Sequence, residues 1–412
     1  MIFVRQTVLI LWVAILAGCA SGFDPKPIDS VPFRDRTVSQ AEDGVRVSTA
    51  VPSATETQDL FGVALYKKGV QPVWIEIEND SSEKVAFFPA SIDADYHSPF
   101  EVAALNRSKK ARAQAEQYFL QNGVDMQIAP GEVRSGFVFT NLDEGTKAFN
   151  VDVFGDDKAW HFTFFVEVPG LAADHHELDY EGLYPEEQVT DFTDPAGLIL
   201  ALEQLPCCVD DAKAENKGDP LNLVIIGEPV DLFYAFIRSG WDETEVVSMA
   251  SGIKTTTSFF TGGAYRYSPV SSLYVFGRSQ DIAMQRIRSN IHERNHFRLW
   301  MTPMTFEGQS VWIGQISRDI GVRFTRKTIT THKIDPDVDE TREFLLENLA
   351  YHQMLAKFAY VGGSYTSTME EPGRNLTGDP FYTDGLRLVM WIASEPQNLQ
   401  DIKYVDWSDP EG

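Results

Sequence analysis

His296-Phe297-Arg298-Leu299-Trp300 sets an imidazole, a guanidinium and an indole at alternate positions. At the two-residue period of a strand, His296, Arg298 and Trp300 share one face, while Phe297, Leu299 and Met301 share the other. If the second face packs into a core, the first offers groups suited to a phosphate or carboxylate. Arg presents a planar fork of donors and His a titratable one. The same residues also fit a polar sheet face paired across strands.

A second cluster runs from Thr331 to Arg342. Asp335, Asp337 and Asp339 copy the first half of a calcium loop, but Glu340 stands where that loop needs glycine and Leu346 where it needs a bidentate Glu. An EF-hand is excluded. Acidic residues ahead of a helix cap its free N–H groups and complement its dipole, which accounts for the run structurally. Chemically, His332 and Asp335 read as a base with its orienting carboxylate, or as metal ligands. Gly277-Arg278-Ser279 is expected to end a strand and open a helix, where backbone N–H groups and Arg278 would hold an anion. The catalytic candidates are therefore His296, Arg298, His332 and Asp335. Arg278 and Trp300 are the ligand-binding candidates, and His332, Asp335 and Asp337 the candidate ligands of a divalent metal. No G-x-S-x-G or C-x-x-C motif is present.

These residues need a scaffold. From about Gly218 the pattern is mixed. Leu221 to Gly227 reads as a buried strand, and Pro229 suits the first turn of a helix that Gly240 ends. Leu273 to Phe276 reads as a strand and Gln280 to Arg288 as a helix. His296–Met301 and Val311–Ser317 read as a hairpin pair, Asp339 to about Met354 as a long helix, and Leu386–Ile392 as a late strand. That order predicts an α+β domain with a mixed sheet over 218–412. Upstream, short strands with Gly, Asp and Asn turns predict an immunoglobulin-like β-sandwich over 56–170, with one helix near Ser108 to Leu120. Residues 171–217 read as an acidic connector with a short helix, Ala196 to Leu205. It carries His175-His176, either solvated or metal-binding.

At the N-terminus, Arg5 precedes an apolar run, Val8 to Leu16, too short to span a bilayer, and Leu16-Ala17-Gly18-Cys19 closes it. This predicts a signal peptide over 1–18, cleavage before Cys19, and lipidation of its thiol, palmitate included. Diacylglycerol with an N-acyl chain supplies the multiple anchors that stable attachment needs. Ala20 in place of Asp favours the bacterial outer membrane, facing the periplasm. Residues 19–55, with Pro25, Pro27, Pro32 and Pro52, read as a lipidated tether. The 412 residues carry a net charge of -25, which disfavours nucleic acid and anionic lipid surfaces as partners. Of three cysteines, the adjacent pair Cys207-Cys208 reads as an incidental pair, a vicinal disulfide or a redox pair.

Gly218-Asp219-Pro220-Leu221-Asn222-Leu223-Val224, Gly240-Trp241, Pro269-Val270, Phe276-Gly277-Arg278, His296 to Trp300, Val311-Trp312-Ile313-Gly314 and His332 to Asp339 together resemble the LssY C-terminal domain family over about residues 218–360. That family is named for a protein encoded with a type I secretion system, and related domains are fused to DedA-like or phosphatidic-acid-phosphatase-type membrane proteins. The resemblance implies an envelope setting and a link to lipid phosphates; it transfers no reaction. Two functions follow as expectations. The first is a non-catalytic lipoprotein that binds or assembles an envelope protein or a lipid-phosphate headgroup. The second is a phosphoester hydrolase in which His296, Arg298, Arg278, His332 and Asp335 converge. Replacing Cys19 by Ala is expected to abolish incorporation of labelled palmitate and to release the chain from the membrane fraction; labelling that survives the substitution would remove the anchor.

Overall fold

The computed structural model describes residues 23–106, 109–143, 146–168, 180, 182–244, 272–287, 293–323, 331–363 and 365–407. The expected signal peptide, Cys19 and His175-His176 lie outside them. Among the described residues no helix is long and apolar enough to cross a membrane. The chain divides into two compact units between residues 170 and 171.

The first unit contains strands β1 (Val38–Glu42), β2 (Val45–Ala50), β3 (Val70–Asn79), β4 (Val85–Phe87), β5 (Gln127–Ile128), β6 (Glu132–Asn141), β7 (Thr146–Phe154) and β8 (Ala159–Glu167). They form two four-stranded sheets, in the orders β1-β2-β3-β6 and β5-β4-β7-β8. Val45, Val47, Val73, Ile75 and Ile77 of one sheet share a core with Phe87, Val151, Val153, Phe162 and Phe164 of the other. The opposite face of β3 is also covered. Trp74, Phe137 and Phe139 pack there against helices α1 (Ala54–Phe61), α2 (Pro99–Ala104) and α3 (Lys109–Gln121), with Phe61 and Phe119 stacked 5.2 Å apart. Local chemistry starts the first two helices. Ser53 with Glu56 and Ser98 with Glu101 each close a reciprocal capping box.

Two expectations change here. The stretch read as a tether holds β1 and β2, and Phe33 within it is fully buried against Trp74 and Phe137. Pro27 and Pro32 start short 3-10 turns rather than an extended linker, and the Val45/Val47 alternation is too brief to stand out in sequence. The immunoglobulin order separates its second and third strands between sheets, whereas β2 and β3 are neighbours here, and helices cover the outer face of their sheet.

The second unit contains β9 (Thr190–Phe192), α4 (Pro195–Glu203), β10 (Cys208–Asp210), β11 (Lys217–Pro220), β12 (Leu223–Ile226), α5 (Pro229–Arg238), β13 (Asp242–Glu243), β14 (Tyr274–Val275), β15 (Arg278–Ser279), β16 (Ile282–Ile287), β17 (Glu293–Phe306), β18 (Gln309–Arg323) and β19 (Thr331–Ile334). It continues with α6 (Val338–Tyr351), β20 (Leu355–Gly362), β21 (Gly373–Arg374), β22 (Pro380–Phe381), β23 (Leu386–Ile392) and β24 (Lys403–Tyr404). The main sheet is mixed and ten-stranded, in the order β13-β16-β17-β18-β12-β23-β20-β24, with β9 and β19 added at the ends of the long β17–β18 hairpin. β12 and β23 pair in parallel; β12 and β18 pair antiparallel. Leu198 and Leu202 of α4 pack on Val224, Val311, Val389 and Trp391 on one face. On the other, Phe236 of α5 meets Phe297 at 4.4 Å, and Trp241 donates its indole N–H to Asn348 of α6 at 2.7 Å. A smaller sheet, β11-β10-β14-β15, packs Val209 and Val275 against Trp300 and Ile313.

The region expected to be a connector therefore supplies β9, α4 and β10 to this unit. The helix expected over Gln280–Arg288 is a strand: β16 lies between β13 and β17, and sheet pairing on both sides overrides an apolar spacing that suits either period. Cys207 and Cys208 are joined as a vicinal disulfide. Just before them ends α4, and there Arg387 of β23 donates to the carbonyls of Leu202, Leu205 and Pro206, and to Leu221 ahead of β12. Arg387 is 1% exposed. Replacing it by Ala strands several buried carbonyls, so chemical denaturation is expected to show a loss of about 3 kcal/mol or more, with Lys recovering part of it; a loss near zero would mean that the carbonyls find other donors.

Candidate functional site

The polar seam is built on the β17–β18 hairpin. Glu307 and Gly308 turn the chain with φ of 52° and 79°, the left-handed pair a tight hairpin requires. Phe306 faces Gln309 and Thr305 faces Ser310, but past a break at Thr302–Met304 the register moves and Met301 faces Trp312. Pro303 lies in that break and has no N–H for the ladder. Beyond it, Arg294, His296 and Arg298 face Asp319, Ser317 and Gln315 on β18. Gln285 of β16 lies on the other side of His296.

All seven residues are buried. Arg294 donates from Nε to Asp319 Oδ2 at 2.9 Å and from Nη1 to Gln285 Oε1 at 2.5 Å. Arg298 donates to Gln315 Oε1 at 3.1 Å, and Gln315 Nε2 donates to Ser317 Oγ at 2.9 Å. Ser317 Oγ lies 3.1 Å from His296 Nε2, and His296 Nδ1 lies 3.7 Å from Asp319 Oδ2. Phe297 faces away, into the packing of Phe236 and Trp241, as the alternation requires.

The other predicted residues sit elsewhere. Arg278 closes a bidentate pair with Asp281 at 2.9 and 2.8 Å and also donates to Tyr184 Oη and Met301 O. No helix starts there: Phe276 and Gly277, with φ of 55° and 76°, make the tight turn between β14 and β15. Trp300 is core, its indole N–H donated to Arg278 O at 3.3 Å. His332 stands on β19 opposite Val322, well along β18 from Ser317. Asp337 caps α6, accepting from Glu340 N at 3.1 Å, and Asp335 accepts from Asp337 N at 3.2 Å, so both carboxylates shape the helix start. Among the described residues no group of three His, Cys, Asp or Glu side chains is placed to hold a metal ion. Sequence reasoning missed Arg294, Gln315, Ser317 and Asp319. Extending the alternation by one step on β17, and applying it to β18, would have found all four.

Asp219, near the end of β11, is buried beside this seam. Burial pushes its carboxyl up to about 6, against the Arg298 charge and a hydrogen bond from Asn375. Burial likewise lowers Arg298 to about 10, with Asp219 pulling the other way. An ion pair alone would shift each in the opposite sense, so desolvation outweighs their attraction for both. A carboxyl whose pKa is raised on folding costs stability as pH climbs from its unfolded value near 4 through its folded value of about 6. Replacing Asp219 by Asn is expected to stabilise the chain relative to wild type above about pH 6, with the advantage shrinking toward pH 4. Urea melts across that range check it; a difference independent of pH would contradict the burial argument.

No curated protein matches the chain. The family comparison covers the part that holds the seam, from the last residue of α4 to the first of β23, and extends past the 218–360 stretch that carried the resemblance in sequence. Residues 203–386 match the model of the family described as LssY C-terminus, so this part of the second unit is similar to that family.

Proposed function

We propose that the chain is an envelope lipoprotein, held through lipid on Cys19 and facing the periplasm from the outer membrane, that works as a binding or assembly module. The observation that carries this reading is where the phosphate-suited groups are engaged. Arg298 is buried on Gln315, His296 on Ser317, Arg294 on Asp319, and Arg278 on Asp281. A guanidinium held this way stiffens a sheet and leaves fewer donors for an incoming phosphate. The phosphoester hydrolase needs Arg278, His332 and Asp335 to join His296 and Arg298, and Arg278 and Asp335 have their own structural partners. The net charge of -25 favours a cationic or protein partner over nucleic acid.

The purified full chain, assayed on a panel of phosphomonoesters, phosphodiesters and phosphatidic acid with and without added divalent metal, is expected to show no turnover above buffer. His296→Ala and Arg298→Ala are expected to lower the melting temperature. Partner-independent hydrolysis that disappears in both variants while the fold persists would overturn the reading and establish the hydrolase.

A further inference from the structure

We infer that Ser317, His296 and Asp319 form a serine–histidine–aspartate relay, a nucleophile site for carboxylic esters that adds an activity to the binding role. Ser317 Oγ is within hydrogen-bond reach of His296 Nε2 at 3.1 Å. Asp319 Oδ2 stands 3.7 Å from His296 Nδ1, on the other side of the ring. This is the nucleophile–base–carboxylate order of an activated serine, with the looser base–carboxylate spacing that unliganded sites show. It arises simply: His296 lies directly across the ladder from Ser317, and Asp319 is the next residue along β18 on the same face.

The neighbours fix the direction of the protons. Arg298 can only donate, so the Gln315 oxygen turns to it at 3.1 Å, and the Gln315 amide nitrogen turns to Ser317 Oγ at 2.9 Å. A hydroxyl has one proton. With Oγ accepting from Gln315, that proton is free to be donated to His296 Nε2, and a neutral imidazole then carries its own proton on Nδ1, toward Asp319. Asp319 is held in place by Arg294 Nε at 2.9 Å. The donors from Arg298, Gln315 and Arg294 thus point the way that removal of the serine proton needs.

The step is a conventional acyl transfer. Ser317 Oγ bonds to the ester carbonyl carbon as its proton passes to His296 Nε2. The imidazolium returns that proton to the leaving oxygen as the ester C–O bond breaks, releasing an alcohol and leaving an acyl-serine. Water then adds to the acyl carbon, gives a proton to Nε2, and the acid departs as the proton returns to Ser317. Gln315, Arg298 and Arg294 are positioning residues.

A small fluorophosphonate tests this on the full-length chain: the Oγ–P bond forms, the P–F bond breaks, fluoride leaves and the proton passes to His296. Peptide mass mapping is expected to find one adduct per chain, on Ser317. Ser317→Ala is expected to give none, and His296→Gln to slow labelling at least about 100-fold with an unchanged near-UV spectrum. Folded wild-type chain with no adduct on Ser317, or an adduct formed at the same rate in the folded His296→Gln chain, would overturn the relay. The wild-type mapping decides by itself if either variant fails to fold. Either result leaves the phosphoester assay, and the binding role it tests, standing separately.

Discussion

A buried guanidinium with four carbonyl oxygens around it holds the second unit in register. Arg387 reaches from β23 to the last turn of α4, to Pro206 beside the disulfide, and to Leu221 ahead of β12. Burial lowers its pKa to about 10, which still leaves it charged at neutral pH. The C-terminal end of a helix carries partial negative charge, so α4 offers a cation what water otherwise would. Contacts over 166 to 185 residues of sequence separation therefore meet at one side chain. α4 can cover the apolar half of the sheet only if β23 lies where Arg387 puts it.

On the β17–β18 hairpin, past Trp300, the sheet face turns from apolar to polar. Seven hydrogen-bonding side chains occupy an interior that could have been aliphatic, and each depends on the others: Arg298 orients Gln315, Gln315 orients Ser317, Arg294 steadies Asp319. Low dielectric makes such a network strong when complete and costly when broken. Asp219 shows the cost directly, since burial outweighs the attraction of the nearby Arg298 charge.

Much of this was legible in the residues. The His296/Arg298/Trp300 face followed from period-two alternation alone, and the α6 start followed from the acidic run that Asp337 leads. The late strand at Leu386–Ile392 was read within its bounds. What failed did so for identifiable reasons. The Ile282–Ile287 strand is buried on both faces near its start, which erases the alternation that separates strand from helix. The partners of His296 depend on the opposing strand, and no property of either strand by itself states the register between them. The packing of Phe33 and of Arg387 is likewise a matter of tertiary contact, invisible to any local pattern.

The break at Pro303 has a consequence for that register. Counting from the turn, nine residues back from Thr305 is His296 and nine on from Ser310 is Asp319, yet the residue opposite His296 is Ser317. The hairpin has slipped by an even number of places. An odd slip would turn every side chain of β17 to the opposite side of the sheet; an even one preserves sidedness and only exchanges neighbours. Pro303 thus works like a vernier, sliding one edge past the other by a fixed notch and choosing whether the imidazole sits across from a hydroxyl or across from a carboxylate.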